Sequence, residues 1–176
     1  MRVNDWYFRG WEKKKGPNGK TTLVYTGEYY SFKDGIAPLK KTCGVLTVLL
    51  IVFYALVAFF PSEGGMWRFS AIPQLLELIP MLYLIIGTVN LLRVKGERMT
   101  FREYYGSWHN IRWTVWGSTA LTALMCAAEV VYLCLPNDNA ILPIREMLYF
   151  MGDLICLAIS IAYVAVTRKN PCSQTM

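Results

Sequence analysis

Residues 43–60 read CGVLTVLLIVFYALVAFF, a run without a single charged side chain, and the chain turns at Pro61 directly after it. Wound as a helix rising 1.5 Å per residue, such a run crosses most of a ~30 Å hydrocarbon core. Three more follow: Ile72 to Leu92, closed by Arg93; Trp113 to Leu135, closed by Pro136; and Met147 to Thr167, closed by Arg168 and Lys169. None of the 18 Lys and Arg lies inside any of them. Charged residues make up 17% of the chain, against roughly 25% in soluble domains. A water-soluble helical core is excluded by the same pattern, because four apolar runs with almost no polar face have nothing to present to water.

The predicted fold class is therefore an all-α integral membrane protein, a four-helix transmembrane bundle. Its transmembrane domain covers residues 43–169, with a cytoplasmic N-terminal segment at 1–42 and a short tail at 170–176. Charge sets the expected orientation. Nine Lys and Arg precede the first run, five lie between the second and third, and Arg168 and Lys169 follow the fourth. The remaining two connections hold only Arg68 and Arg145. By the positive-inside rule both termini face the cytoplasm. Trp6, Trp11, Trp67, Trp108 and Trp113 fall outside the runs or at their ends, where an amphipathic ring suits the interface.

The N-terminal segment is rich in strand-favouring aromatics: Trp6, Tyr7, Phe8 and Trp11, then Tyr25, Tyr29, Tyr30 and Phe32. Gly16-Pro17-Asn18-Gly19 between the two clusters is a turn signal. The reading is a β-hairpin, Trp6 to Lys14 against Thr21 to Phe32, with bulges at Gly10 and Gly27. A lone hairpin is marginal, so this one packs on the rest of the chain, on lipid headgroups or on a partner. Between the second and third runs, Thr100-Phe101-Arg102-Glu103 has the form of a capping box. Phe101, Tyr104, Tyr105 and Trp108 then recur at helical spacing, which predicts an amphipathic helix in the membrane interface.

A shift of 75 residues lays the two halves over each other. Glu28-Tyr29-Tyr30 meets Glu103-Tyr104-Tyr105, Pro61 meets Pro136, and Arg93 meets Arg168. The pattern predicts one helical hairpin used twice in the same orientation.

Three acids lie inside the runs, Glu77, Glu129 and Asp153, and Tyr54 completes one polar group per helix. Counted from the outer ends, all four sit at a depth of roughly 8–9 Å. Ionisable groups inside a membrane are costly and are functional candidates, so Tyr54, Glu77, Glu129 and Asp153 form a candidate proton or cation site. The competing reading is structural, with Arg68 and Arg145 reaching down to pair with the acids.

No zinc motif, phosphate loop or nucleophile elbow occurs, and the chain has one histidine, His109. Cys126 and Cys134 are about 12 Å apart along one helix, too far to bridge; the five cysteines read as small hydrophobes. No enzyme, cofactor or metal site is expected. Nucleic-acid binding is not expected either, since topology accounts for the basic residues. The function expected is a non-catalytic accessory or scaffold subunit. Trp6, Trp11, Tyr29, Tyr30, Phe101, Tyr104, Tyr105 and Trp108 would contact a protein partner or the lipid surface. The alternative is a small proton- or cation-coupled transporter, homo-oligomeric because four helices make a narrow path.

Overall fold

The computed structural model describes residues 10–15, 21–33, 35–59, 68–134 and 143–175. In chain order the elements are β1 (Trp11–Lys15), β2 (Thr21–Tyr25), β3 (Tyr29–Phe32), α1 (Ile36–Phe59), α2 (Arg68–Arg93), β4 (Met99–Thr100), α3 (Phe101–Tyr104), a π-helical turn (Tyr105–His109), α4 (Asn110–Cys134), α5 (Pro143–Lys169) and β5 (Cys172–Thr175). Four helical stretches are long and apolar enough to cross a membrane, as in a multi-pass membrane protein.

Each long helix starts before the apolar run that announced it. Lys40 and Lys41 lie within α1, and Glu146 within α5. Helical backbone hydrogen bonding extends past the hydrocarbon-length segment, whereas hydropathy marks that segment alone. α2 packs on α1 and α4, and α5 packs on α4 and α1, so the four close into a ring. Leu, Ile and Val side chains such as Val48, Leu82, Leu124 and Ile161 face outward, while Thr, Ser and acidic side chains are buried. Moving 75 residues along the chain carries α1 onto 111–134 and α2 onto 143–168, within one residue of the observed bounds of α4 and α5.

One end of this ring is capped by a small sheet. β3 is its central strand, antiparallel to β4 on one side and to β5 on the other. The cap thus ties together the chain before α1, the connection after α2 and the chain after α5. Residues 172–175, expected as part of a plain tail, are the strand β5.

The N-terminal hairpin is shorter than its sequence suggested. β1 pairs with β2 from Trp11↔Tyr25 to Lys15↔Thr21, and Tyr29–Phe32 leaves for the second sheet. The break is at the two glycines. The N–H groups of Thr26 and Gly27 both donate to Gly10 O, at 2.8 and 3.1 Å, a two-on-one bulge that ends the pairing. Gly10 has φ +83°, and a Cβ on Gly27 would lie 2.9 Å from Gly10 Cα. Trp6 and the Gly16–Gly19 turn lie outside the described residues.

The expected interfacial helix is also corrected. Thr100 does cap a helix: its side chain accepts from Glu103 N, and Glu103 Oε2 accepts from Thr100 N at 2.8 Å. The helix then runs through the π-helical turn into α4 without a break, so these residues are the first turns of the third long helix. Gly106 is the weakest helix former between Phe101 and Arg112, and Asn90 Nδ2 donates to its carbonyl at 2.9 Å. Ser107 Oγ donates to Glu103 O. Both bonds satisfy acceptors at the widened turn.

α2 and α4 approach closely at Gly87 on α2, where a Cβ would meet Ile111 Cγ1 at 2.9 Å and the Ser107 carbonyl oxygen at 3.3 Å. Because one of these neighbours is backbone, Gly87→Ala is expected to cost about 1–3 kcal/mol. Thermal unfolding in mild detergent checks this; an unchanged midpoint would show that α2 and α4 are not in this register.

Candidate functional site

The candidate acids are placed by facing helix surfaces at the end of the ring away from the three-stranded sheet. Glu77 and Asp153 are 1% exposed, Glu129 is 0%, and Tyr54 is 8%. Tyr54 on α1 donates to Gln74 O on α2 and interacts electrostatically with Glu77 and Asp153. Glu129 on α4 interacts with Asp153 on α5. Tyr54 thus lies within electrostatic reach of both Glu77 and Asp153, and Glu129 within reach of Asp153.

Their hydrogen bonds are few. Ser118 Oγ on α4 donates to Glu77 Oε1 on α2. Ser70 Oγ donates to Glu129 Oε2 at 3.4 Å. Glu77 Oε2, Glu129 Oε1 and both Asp153 oxygens have no hydrogen-bond partner among the described residues. Arg145, proposed from the sequence as a counter-ion, is exposed.

A fourth acid belongs to the group. Glu146 is 6% exposed and lies within interaction reach of Glu129. It sits one residue before the apolar run begins, so a search confined to hydrocarbon-length segments passes over it. Tyr149, one turn further along α5, donates to Gln74 Oε1 at 3.4 Å and adds a second hydroxyl to the layer. Spacing of three, from Glu146 to Tyr149, was the available signal. Among the described residues no group of three His, Cys, Asp or Glu side chains could hold a metal ion.

Nearer the capped end the interior polar groups are hydroxyls. Thr47 on α1 bonds Thr88 on α2 at 2.9 Å and Tyr163 on α5 at 3.1 Å. Tyr163 also reaches Cys43 O at 3.4 Å. This triad is fully satisfied from within and offers no group to a ligand.

The aromatic residues form the packing of the cap. Tyr30 stacks on Tyr104 with centroids 4.1 Å apart, Phe32 meets Trp108 edge-on at 5.1 Å, and Phe101 lies against Tyr105 at 4.4 Å. Tyr30, Phe101 and Trp108 are buried by these contacts, so three residues expected on a contact surface form core instead. Tyr29, Tyr104 and Tyr105 are half-buried, and Trp6 lies outside the described residues. Trp11 remains exposed on β1. Burial raises the Tyr30 hydroxyl above its usual pKa, and it pushes the Cys172 thiol on β5 up to about 11. At neutral pH Cys172 is a thiol and a poor nucleophile.

The exposed part of the cap is the hairpin. Trp11, Leu23 and Val24 are 38%, 50% and 38% exposed beside Lys13, Lys14 and Lys15. No family model, curated protein or solved structure matches this chain.

The carboxyl of Asp153 contributes nothing to packing that an apolar side chain could not. Asp153→Val is expected to stabilise the protein by about 1–3 kcal/mol, the cost of an unsatisfied buried polar group. The readout is the unfolding midpoint in detergent; a fall would mean that Asp153 holds a structural hydrogen bond.

Proposed function

We propose that this chain is a non-catalytic accessory or scaffold subunit of a membrane assembly, held in the bilayer by its four long helices. The observation that carries this reading is the β1–β2 hairpin. It carries exposed Trp11, Leu23 and Val24 among three lysines, beside a cap whose Tyr30, Phe32, Phe101 and Trp108 are buried. Exposed apolar side chains rimmed by charge are the composition of a contact surface. The capped end is proposed to face the cytoplasm, because 16 of the 18 Lys and Arg lie before the first apolar run, between the second and third runs, or after the fourth. We propose further that the two halves are copies of one helical hairpin, on the agreement of their helix bounds under a shift of 75 residues. The pseudo-two-fold axis would then run along the membrane normal.

The test leaves β3 in place, since that strand is the centre of the cap. With Lys13→Glu, Lys15→Glu and Leu23→Ser combined, the bundle is expected to insert normally and to lose a protein that co-purifies stoichiometrically with the native chain. A fluorescent protein fused after Met176 reports the side on which the cap lies. If the native chain purifies alone, or the variant keeps the same partner, the subunit reading fails.

A second reading is favoured by a specific observation, the nearness of buried Glu146 and Glu129 beside Asp153. Carboxyls buried close together ionise together only at a cost, so this end of the bundle is suited to binding and releasing protons. Protons suit it better than metal ions, given that the described acids do not form a metal-sized group. In this reading the protein is a small proton-coupled transporter. Glu77→Gln, Glu129→Gln and Asp153→Asn are then each expected to abolish a pH-dependent response of the reconstituted protein while leaving its fold intact. Unchanged responses in all three would exclude it.

A further inference from the structure

The first turns of α1 and the last turn of α5 stand side by side, with a cleft of about 330 Å³ between them. Pro38, Leu39 and Thr42 line it from α1, and Ala165, Val166 and Lys169 from α5. Thr42 and Ala165 are exposed, so the cleft opens outward from the ring and not into it. The fourth apolar run ends at Thr167, two residues before Lys169. The cleft therefore straddles the level at which hydrocarbon gives way to polar headgroups.

Its polar groups are committed, all but one. Thr42 Oγ1 donates to Pro38 O at 3.0 Å, and Asn170 Nδ2, also on the wall, donates to Val166 O at 2.9 Å. Lys169 is exposed and has no hydrogen bond or ion pair among the described residues. The chain on both sides is basic: 33–42 and 165–170 hold five Lys and Arg against Asp34 alone. Of those five, Lys169 is the one that lines the cleft, while Lys40 donates to Val94 O and Arg168 lies over the Trp116 ring at 4.7 Å. No acidic side chain lines the cleft among the described residues.

Towards the hydrocarbon the walls are apolar. The helical repeat places Leu46 one turn beyond Thr42 and Ile159 two turns beyond Val166. Both are half-buried against the core. An ammonium set over an apolar groove matches a molecule with an anionic head and a hydrocarbon tail. A soluble phosphate compound would meet the lysine and leave the groove unused.

We propose that this cleft holds an anionic phospholipid, with its phosphate on Lys169 and the upper part of an acyl chain along Leu46 and Ile159. The site rests on the reading of this protein as membrane-embedded with its cap at the headgroup level, and it requires neither the proposed protein partner nor the proton chemistry.

The full chain, purified in neutral detergent, is titrated with dihexanoylphosphatidylglycerol, with dihexanoylphosphatidylcholine and with inorganic phosphate, and the unfolding temperature is followed. Phosphatidylglycerol is expected to raise it saturably, at lower concentration than phosphatidylcholine. Lys169→Gln is expected to weaken that response about fivefold, the scale of one lysine at an anionic surface. Ala165→Phe, which fills the cleft and keeps the charge, is expected to weaken it as well. Lys95→Gln removes one exposed charge outside the cleft and is expected to leave the response unchanged. The site is overturned by the absence of a saturable response, by equal saturation with inorganic phosphate, or by a response that Lys169→Gln or Ala165→Phe leaves intact. An equal loss in Lys95→Gln also overturns it, since diffuse charge would then account for the binding. If the titration succeeds while no protein co-purifies, the subunit reading fails and the lipid site stands; the converse result removes the site alone.

Discussion

The hydrogen bonds that cross from helix to helix decide how each helix is turned about its axis. Thr47 to Thr88 and Tyr163 fixes α1 against α2 and α5, and Ser118 to Glu77 fixes α4 against α2. Apolar side chains cannot do this in a bilayer, because a Leu gains little by leaving lipid for another Leu. The exposed sides of all four long helices are accordingly Leu, Ile, Val and aromatic, and the polar side chains are inside. Once the hydroxyls near the capped end are paired, the helical repeat carries Glu77, Glu129 and Asp153 inward as well, since they lie on the same faces a few turns away. Of the acids, Glu77 takes part in one of these helix-to-helix bonds, whereas Asp153 has no hydrogen-bond partner among the described residues.

The cap answers a different need. Helix ends leave backbone groups without intrahelical partners, and at this end of the bundle several meet. Lys40 donates to Val94 O just past the end of α2, and Tyr25 Oη accepts from Phe101 N at the start of α3. Strand β3 brings these pieces to one place by pairing with segments far away on either side, Met99–Thr100 and Cys172–Thr175. The stacked and edge-on aromatics beneath it are worth about 0.5–1.5 kcal/mol per pair beyond their buried area.

How much of this was legible follows from how local each signal is. The four helices were readable because hydropathy and helix length are properties of one segment at a time. Thr100 and Glu103 announced their cap for the same reason, being three residues apart. The β1–β2 pairing flanks a four-residue turn signal and was found; the pairing of Ser31 with Ser173 joins residues 142 apart and left no local trace. Trp108 shows the limit for side chains. An indole near a span end reads as an interface anchor, yet it is fully buried here, because β3 crosses the bundle and sets Phe32 against it. Glu146 was missed because the apolar run starts one residue after it, while the helix starts three residues before it.

The two candidate chemistries lie at opposite ends of one bundle. Along α5, Asp153 precedes Tyr163 by ten residues, about 15 Å of helix, and β5 begins nine residues later. Between them stand Thr47, Thr88 and Tyr163, whose hydroxyls bond one another and present no unpaired group to either end. Passage of an ion along this line would have to part those bonds, so the proposed proton-coupled reading calls for a second copy or another subunit. The proposed scaffold reading calls for a partner at the hairpin on the cap, and both proposals thus lead to an assembly larger than one chain.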